Sequence, residues 1–177
     1  MPQVLVAPPA VEPVSLAEAK AHLRVTHNEE DALIGALIAS ARRVAEARTG
    51  LSFITQEWLV FRDGWPEAGV IDIPLAPVLS VEELAVFGED DQKAVIEASH
   101  YVVDTASRPA RLMLRGSRIW QRPGRRVNGI GIRVRAGYGT LPASVPAALR
   151  QSVLMLVAHY YGARGEEAQP ALPVSLD

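Results

Sequence analysis

The chain has 177 residues, which is enough for one ordinary domain with its own hydrophobic core and leaves little room for a second. Apolar residues make up 49% of it and charged residues 21%, a mixture typical of a folded globular protein and not of a disordered one. The absence of cysteine excludes disulfides, thiolate catalysis and cysteine-based metal sites.

The formal net charge is -2, but the charges are unevenly distributed along the chain. Residues 105–165 contain eleven arginines and no lysine, aspartate or glutamate. One interpretation is that these arginines pair with acids elsewhere in the chain or in a neighbouring subunit. The other is that they form a surface that faces phosphate, for which the planar guanidinium is suited. They are Arg108, Arg111, Arg115, Arg118, Arg122, Arg125, Arg126, Arg133, Arg135, Arg150 and Arg164.

Residues 1–13 contain four prolines and are predicted to form an extended arm, because proline interrupts helices. Regular structure is predicted to begin at Ser15. Ser15 and Glu18 have the spacing of a capping box, in which the serine oxygen accepts from a free backbone N–H of the first turn and the glutamate reaches back to the cap. This pattern predicts a first helix over residues 16–23.

A longer second helix is predicted over residues 29–49. Asn28 is a favourable N-cap residue, and the three acids after it lie where the helix dipole is positive. Apolar residues then recur at spacings of three and four from Leu33 to Ala45, which predicts one apolar stripe that packs on a core. Gly50 is expected to end this helix.

Beyond Gly50 the apolar period changes to two, which is typical of β-strands. Segments of this kind predict a small antiparallel sheet, interrupted by a Gly- and Arg-rich loop over residues 115–129. The acidic turn at 88–91 is predicted to connect two of the strands. The predicted strands are 53–61, 70–74, 78–87, 94–97, 101–104, 110–114 and 130–136.

A third helix is predicted over residues 146–161, where apolar side chains are dense. Ser144 is the predicted N-cap, and Pro146 lies near the first helical position, where its missing N–H costs little. Residues 163–177 contain two prolines and few apolar side chains that could be buried. They are predicted to form a flexible tail that becomes ordered only on a partner.

Residues with catalytic potential occur without the spacing that chemistry requires. The sequence contains neither the GxSxG elbow of many hydrolases nor a phosphate-binding P-loop. Two isolated GxG units, at 129–131 and 137–139, are interpreted as turns. We therefore expect no enzyme activity, no metal and no cofactor. The four histidines lack ligand spacings such as HExxH and are expected to be structural: His22, His27, His100 and His159.

Large aromatic side chains anchor both cores and interfaces. Trp58, in a predicted strand, is expected in the core. Trp120 lies in the Arg-rich loop, where a protein interface and a nucleic-acid contact are both open. Tyr160 and Tyr161 are expected on a contact surface, because adjacent helical residues point about 100° apart and only one of them can face inward.

Several segments, taken in order, resemble the tailed-phage head-tail connector (adaptor) proteins, as found in phages, prophages and gene transfer agents. The series begins with VSLAEAKAHLRV at 14–25 and a helix that ends in AEARTG at 45–50. The resemblance covers about residues 14–161, and its specificity comes from the order of the segments. The later segments are TQEW at 55–58, IPLAPV at 73–78, Tyr101, AGYG at 136–139, VPAAL at 145–149 and HYY at 159–161.

This resemblance implies an α+β fold that is mainly an α-helical bundle, built from the N-terminal helices and the long C-terminal helix. A small antiparallel β region is inserted at about 52–136, within a single connector domain over residues 14–162. The resemblance further implies a structural protein that is made in the bacterial cytoplasm. Such a protein forms a ring, usually of twelve copies, in the neck of a virion or phage-like particle.

The partners implied by the resemblance are the portal protein, a tail-completion (stopper) protein and further copies in the ring. DNA would pass through the channel without sequence-specific contacts, and no membrane is expected. The residues expected to bind the portal are Tyr160, Tyr161, Arg164 and Leu172. The residues expected at the DNA channel or the subunit interface are Arg111, Arg115, Arg118, Trp120, Arg122, Arg125 and Arg126.

A second hypothesis belongs to a different class: a DNA-binding accessory protein of packaging, because eleven arginines occur in one stretch without acids. The same charge pattern also suits a ring. Head-to-tail association brings two different faces of a subunit together, and opposite charges on those faces would favour it. The sequence alone is compatible with both hypotheses.

Overall fold

Three α-helices and eight β-strands make up the regular structure of residues 1–116 and 121–163, the parts of the chain that the computed structural model describes. The helices are α1 (Leu16–Leu23), α2 (Asp31–Thr49) and α3 (Ala147–Gly162). The strands are β1 (Gln3–Ala7), β2 (Gln56–Arg62), β3 (Val70–Ile73), β4 (Val78–Phe87), β5 (Lys93–Ile96), β6 (Tyr101–Asp104), β7 (Ala110–Leu114) and β8 (Ile130–Ala136).

The expected fold class is wrong, because the protein is not a mainly helical bundle with a small β insertion. Helix and strand contribute about equally to the regular structure of the described residues, and the strands form two antiparallel sheets. The physical reason is that the β region buries its own apolar side chains. Ile71, Leu112 and Ile132 belong to a hydrophobic cluster that is distinct from the cluster of the helices, so the β region is a layered structure in its own right.

Contacts along the chain divide it into two compact units. The strand unit contains residues 1–8 and 55–137. Among the described residues, the helical unit contains 9–54 and 138–163. The expected division into an arm, one connector domain over 14–162 and a tail stays a prediction.

The N-terminal segment is extended, as the prolines predict, but it is also part of a sheet. Residues Gln3–Ala7 form β1, which pairs antiparallel with β2. Pro2 and Pro8 flank this strand. Prolines are tolerated there because β1 lies at the edge of its sheet, where a missing backbone N–H leaves no neighbouring strand without a partner.

In the strand unit, one sheet has the strand order β1-β2-β8-β4-β5 and the other has the order β3-β7-β6. The alternation of β8 shows how the first sheet is oriented. Ile130, Ile132 and Val134 are fully buried, whereas Arg133 and Arg135 point to the opposite face. The buried faces of the two sheets share one hydrophobic core.

Alternation of apolar residues predicted the strands well. The strands predicted at 78–87, 101–104, 110–114 and 130–136 are confirmed with the same bounds. The strand predicted at 53–61 begins later, at Gln56. The reason is that Phe53 and Ile54, although apolar, are buried in the core of the helical unit.

In the helical unit, the capping box of α1 is confirmed. Glu18 N donates to Ser15 Oγ across 3.2 Å, and Ser15 N donates to Glu18 Oε2 across 2.8 Å. The predicted Asn28 cap of α2 is wrong, because Glu30 occupies the N-cap position. The Asn28 side chain is engaged elsewhere, since its Oδ1 accepts a hydrogen bond from Lys20 Nζ across 2.7 Å.

Helix α3 has Pro146 as its N-cap, so the predicted Ser144 cap is also wrong. Ser144 belongs to a 3-10 turn over Pro142–Ser144. Its side chain faces Gly139, where an added Cβ would lie 2.5 Å from Ser144 Oγ. The prediction of an apolar α3 is confirmed, because residues such as Leu156 are fully buried in the helical core.

Candidate interaction surfaces

Acids elsewhere in the chain neutralise part of the arginine-rich segment. Four of its arginines form salt bridges, each with one side-chain oxygen within 3.6 Å. These pairs are at the surface, where a salt bridge contributes only about 0–1 kcal/mol to stability. Pairing within the chain is therefore confirmed for these four. The pairs are Arg111–Asp104, Arg125–Asp91, Arg133–Glu57 and Arg150–Glu18.

Four other arginines of this segment are exposed and have no acidic partner among the described residues. Two of them lie in the loop before β8, one in β8 and one before β7. Arg115 differs from them, because its Nε donates to Tyr101 O across 3.2 Å. Arg118, Trp120 and Arg164 lie outside the described residues. The four exposed arginines are Arg108, Arg122, Arg126 and Arg135.

Residues 121–129, here called the arginine loop, are held against the turn between β4 and β5. Gly124 N donates to Phe87 O across 2.9 Å. A Cβ added at Gly124 would lie 2.2 Å from Glu89 N. Because backbone approaches backbone this closely, a side chain at position 124 would push the loop away from the sheet.

Within the arginine loop, Arg125 is folded back onto the protein. Its Cζ lies 4.4 Å from the centroid of the Phe87 ring, and its Nε donates to Asp91 Oδ1 across 2.5 Å. This hydrogen bond and the charge of Arg125 hold the pKa of the Asp91 carboxyl below its usual range. Arg122 and Arg126 are exposed, so these two are the loop arginines that a partner can reach.

The outer face of the three-stranded sheet, here called the small-sheet face, carries two rows of side chains. Its apolar row consists of Val70, Met113 and Val102, which are cross-strand neighbours. Its charged row consists of Asp72, Arg111 and Asp104. Met113 is 50% exposed and Val102 is 41% exposed, so the apolar row is accessible in a single chain.

Arg111 belongs to a compact network around Asp104. Ser107 Oγ and Arg111 Nη2 donate to Asp104 Oδ2 across 2.6 and 2.7 Å. The backbone N–H groups of Ala106 and Ser107 donate to Asp104 Oδ1 across 3.0 and 3.1 Å. These donors, of which the Ser107 hydroxyl has the largest effect, hold the pKa of the Asp104 carboxyl well below its usual range.

The outer face of the five-stranded sheet, here called the large-sheet face, is apolar around its central strand. A Cβ added at Gly131 of β8 would lie 3.1 Å from Phe87 Cε2 and 3.6 Å from both Leu59 Cδ1 and Phe61 Cε1. The interpretation of the first GxG unit as a turn is therefore wrong for Gly131, which lies inside a strand. A glycine there allows three apolar side chains to cover the sheet.

One end of the large-sheet face is charged. Arg133 pairs with Glu57, whereas Arg135 is exposed. A cleft of about 530 Å³ lies at this end and is also lined by Ala7, Thr55 and Glu82. In the register of the strands, Glu57 lies opposite Arg135, and Glu83 lies opposite Arg133.

Sequence reasoning did not identify either sheet face, because β2 has apolar residues on both of its sides. Trp58 and Val60 pack on the core, whereas Leu59 and Phe61 lie opposite Arg133 and Gly131 on the other face. An uninterrupted apolar run in a strand is the signal that both of its faces are covered. The WLVF run at 58–61 carries this signal.

Tyr160 and Tyr161, predicted to bind the portal, are both half-buried against the helical core. The Tyr161 hydroxyl donates to Glu30 Oε2, which links the end of α3 to the start of α2. The Tyr160 ring packs against His159 at a centroid distance of 5.7 Å. Portal binding by this pair stays a prediction, and Leu172 lies outside the described residues.

Some of the titratable side chains in the described part of the chain pair with near neighbours in the sequence. His27 Nδ1, for example, lies 2.7 Å from Glu29 Oε2. Within residues 1–116 and 121–163, no three His, Asp or Glu side chains are grouped so that they could hold a metal ion. No helix in the same ranges is long and apolar enough to span a membrane.

Two accessible sheet faces and a loop with exposed arginines are features of a structural assembly protein, which acts through its surfaces.

The family of the protein is identified by comparison of its sequence with models of known families. Residues 13–110, more than half of the chain, match the model of the phage gp6-like head-tail connector protein family. The chain therefore belongs to this family, and the predicted resemblance is confirmed. It is a structural connector of the particle neck. Comparison with the curated proteins gives no match.

Chains in solved structures have the same fold. One, from a structure described as the virion of a native gene transfer agent particle, is 24% identical with a TM-score of 0.82, over 97% of this chain and 89% of that chain. A second, from the neck of an empty particle computed with C6 symmetry, is 25% identical with a TM-score of 0.81, over 98% and 90%. A third, from the neck of a native particle computed with C12 symmetry, is 22% identical with a TM-score of 0.70, over 94% and 88%.

Proposed function

We propose that copies of this chain form a closed ring in the particle neck, with the portal protein on one side and the tail-completion protein on the other. The observation that carries the proposal is the likeness to a chain from a neck computed with C6 symmetry, at a TM-score of 0.81. A closed ring requires head-to-tail contacts between identical subunits. We propose twelve copies, in keeping with the C12 symmetry of the third structure.

DNA would leave the head through the centre of this ring. Arg122 and Arg126 are the best candidates to face it, because they are exposed and have no acidic partner in the described chain. A few arginines suit this task, since their attraction to phosphate is independent of sequence and weak enough to let DNA pass. Arg125 and Arg111 are less suited, because each is paired with an acid.

Portal binding is assigned to the end of α3 and the residues that follow it. Tyr160 and Tyr161 pack on the helical core. This packing holds the end of α3 in place, so that it can position the residues that follow it. Arg164 and Leu172 would then provide a charge and an apolar anchor. In this role the protein needs mating surfaces and no catalytic centre.

Electron microscopy of particles tests the proposal directly. A reconstruction of the neck should show density for this chain as a ring between the portal and the tail. Preparations of particles made without the chain should contain heads that lack tails. Density for another protein at this level, and none for this chain, would overturn the proposal.

The second candidate is a DNA-binding accessory protein, which the four exposed arginines without described acidic partners favour. Binding to duplex DNA should then weaken steeply with salt, with a slope of log K against log salt of about −0.9 for each phosphate neutralised. The Arg122→Gln/Arg126→Gln variant should bind more weakly than an Arg43→Gln control, whose exposed arginine lies in α2. Binding that is insensitive to salt would exclude this candidate.

A further inference from the structure

The small-sheet face and the large-sheet face lie on opposite sides of the strand unit, because their two sheets share the core between them. A closed ring needs two different surfaces on each subunit, one for each neighbour. We propose that the small-sheet face of one copy packs on the large-sheet face of the next copy, and that this contact closes the ring. This inference rests on the proposed function and names the surfaces that it uses.

Both faces expose apolar side chains that a single chain leaves in contact with water. On the small-sheet face these are Met113 and Val102. On the large-sheet face, Val95 is 58% exposed and Val4 is 52% exposed. Burying such side chains is favourable, because it removes apolar surface from water. Contact between the two faces would cover both apolar rows at once.

Each of the two faces carries one exposed charge that forms no salt bridge within the described chain, and these two charges have opposite signs. The charged row of the small-sheet face has two acids and one arginine, and Asp72 is exposed and forms no salt bridge with the described residues. The large-sheet face carries three cations and three acids, because Glu82 lines the cleft beside Arg133 and Arg135. Its Arg135 is likewise exposed and without an acidic partner in the described chain. The charged residues of this face are Lys93, Arg133, Arg135, Glu57, Glu82 and Glu83.

A second copy fits these faces better than DNA does. DNA presents a uniformly negative backbone, which the acidic row of Asp72 and Asp104 would repel and which apolar rows cannot bind. A sheet face with apolar and charged rows is suited to a second sheet, and stacked sheets pack about 10 Å apart. Two different faces, each with one unpaired charge of opposite sign, favour the head-to-tail arrangement over face-to-face dimers.

Oxidation of methionine tests the proposal on the unsubstituted protein. Met113 is half-exposed in the single chain. In assembled particles treated with hydrogen peroxide, we expect Met113 to be oxidised several-fold more slowly than in the free chain, because the large-sheet face of a neighbour covers it. Particles denatured before treatment give the unprotected rate. An equal rate in free chain and intact particles would overturn the proposal.

Cross-linking identifies what covers Met113. Because the chain has no cysteine, Met113→Cys and Val95→Cys create single reactive thiols. Particles assembled from a mixture of the two variants are treated with a bismaleimide of about 10 Å, the spacing of stacked sheets. We expect dimers that contain one chain of each variant. Leu141→Cys is the control, because Leu141 is 63% exposed but lies in the helical unit.

The outcomes separate this inference from the proposed function. Mixed dimers in particles that contain the ring support the inference. A ring in which only like variants cross-link, or in which Met113 cross-links to the portal, overturns the inference and leaves the connector role intact. Particles whose neck contains no ring of this chain overturn both. If a cysteine variant does not enter particles, the rate of Met113 oxidation in the unsubstituted protein decides whether the inference holds.

Discussion

Arg42 of α2 donates from Nε to Glu12 Oε2 across 2.7 Å, which ties the helix to the segment that precedes α1. Its Nη1 donates to Glu46 Oε2 across the same distance. Arg42 is only 5% exposed, so its charge is buried and depends on these two carboxylates. A buried charge is tolerated only while its partners are present.

Removing this guanidinium should therefore be costly. We expect Arg42→Met to lower the free energy of unfolding by about 3 kcal/mol, the lower end for a broken buried ion pair, because Glu12 is partly exposed. Urea denaturation of both proteins measures the difference. The control is Arg43→Met, since Arg43 is the next residue in the same helix and is exposed. Equal losses in the two variants would contradict the role of Arg42.

The low pKa of Asp104 makes part of the stability dependent on pH. Because folding lowers this pKa, the hydrogen bonds of Asp104 stabilise the fold fully above the ordinary carboxyl pKa of 3.8, and their contribution is lost as the pH falls from there through the folded pKa. Ser107→Ala removes the donor with the largest effect. We expect the folded pKa of Asp104 to rise toward 3.8 in an NMR titration of its carboxyl carbon.

Ser99→Ala is a suitable control for that titration. The Ser99 hydroxyl lies 3.5 Å from a Glu97 oxygen and takes no part in the Asp104 network. This variant should leave the titration of Asp104 unchanged. A midpoint that does not move in Ser107→Ala would mean that the hydroxyl is not the cause of the low pKa.

Gly124 fixes the arginine loop by its lack of a side chain. Gly124→Ala would place a Cβ 2.2 Å from Glu89 N, and we expect a loss of about 1–3 kcal/mol in the free energy of unfolding, as for other overpacked sites. The control is Gly64→Ala, where nothing lies within 4 Å of the added Cβ. Thermal unfolding of the two variants should separate them. An unchanged transition in Gly124→Ala would exclude the close contact.

Features that depend on neighbouring residues could be predicted from the sequence. The capping box of Ser15 and Glu18 spans three positions, and the alternation of β8 is visible within seven residues. The prediction of an Asn28 cap was wrong because the Asn28 side-chain oxygen accepts a hydrogen bond from the Lys20 side chain instead. The predicted proportion of helix and strand was wrong for a similar reason, because the core of the strand unit is assembled from segments that are distant in the sequence.

The interaction surfaces were harder to predict because most of the acidic partners of the arginines are remote in the sequence. Arg133 pairs with Glu57, which is 76 positions away. A segment without acids indicates that any acidic partner must lie outside that segment, but it does not indicate which arginines have no partner. The two sheet faces depend on strand register, which places Leu59 beside Arg133. Register is set by the whole sheet and not by one strand.

Variants of the two tyrosines at the end of α3, Tyr160 and Tyr161, distinguish a role in internal packing from a role in partner binding. The hydroxyl of Tyr161 donates to Glu30, so Tyr161→Phe should lower the free energy of unfolding by about 1–2 kcal/mol, as expected for a hydrogen bond to a carboxylate. The matched control is Tyr160→Phe, in the same turn of the helix. Because the described contacts of Tyr160 come from its ring, we expect a change within about 0.5 kcal/mol.

Portal binding by the same variants separates the two roles of this pair. If the rings are what the portal contacts, both phenylalanine variants should bind the portal as the unsubstituted protein does, because phenylalanine retains the apolar ring. Tyr160→Ala should then bind more weakly, and calorimetry with purified portal measures the difference. A Tyr160→Ala variant that folds and binds the portal normally would remove Tyr160 from the portal contact.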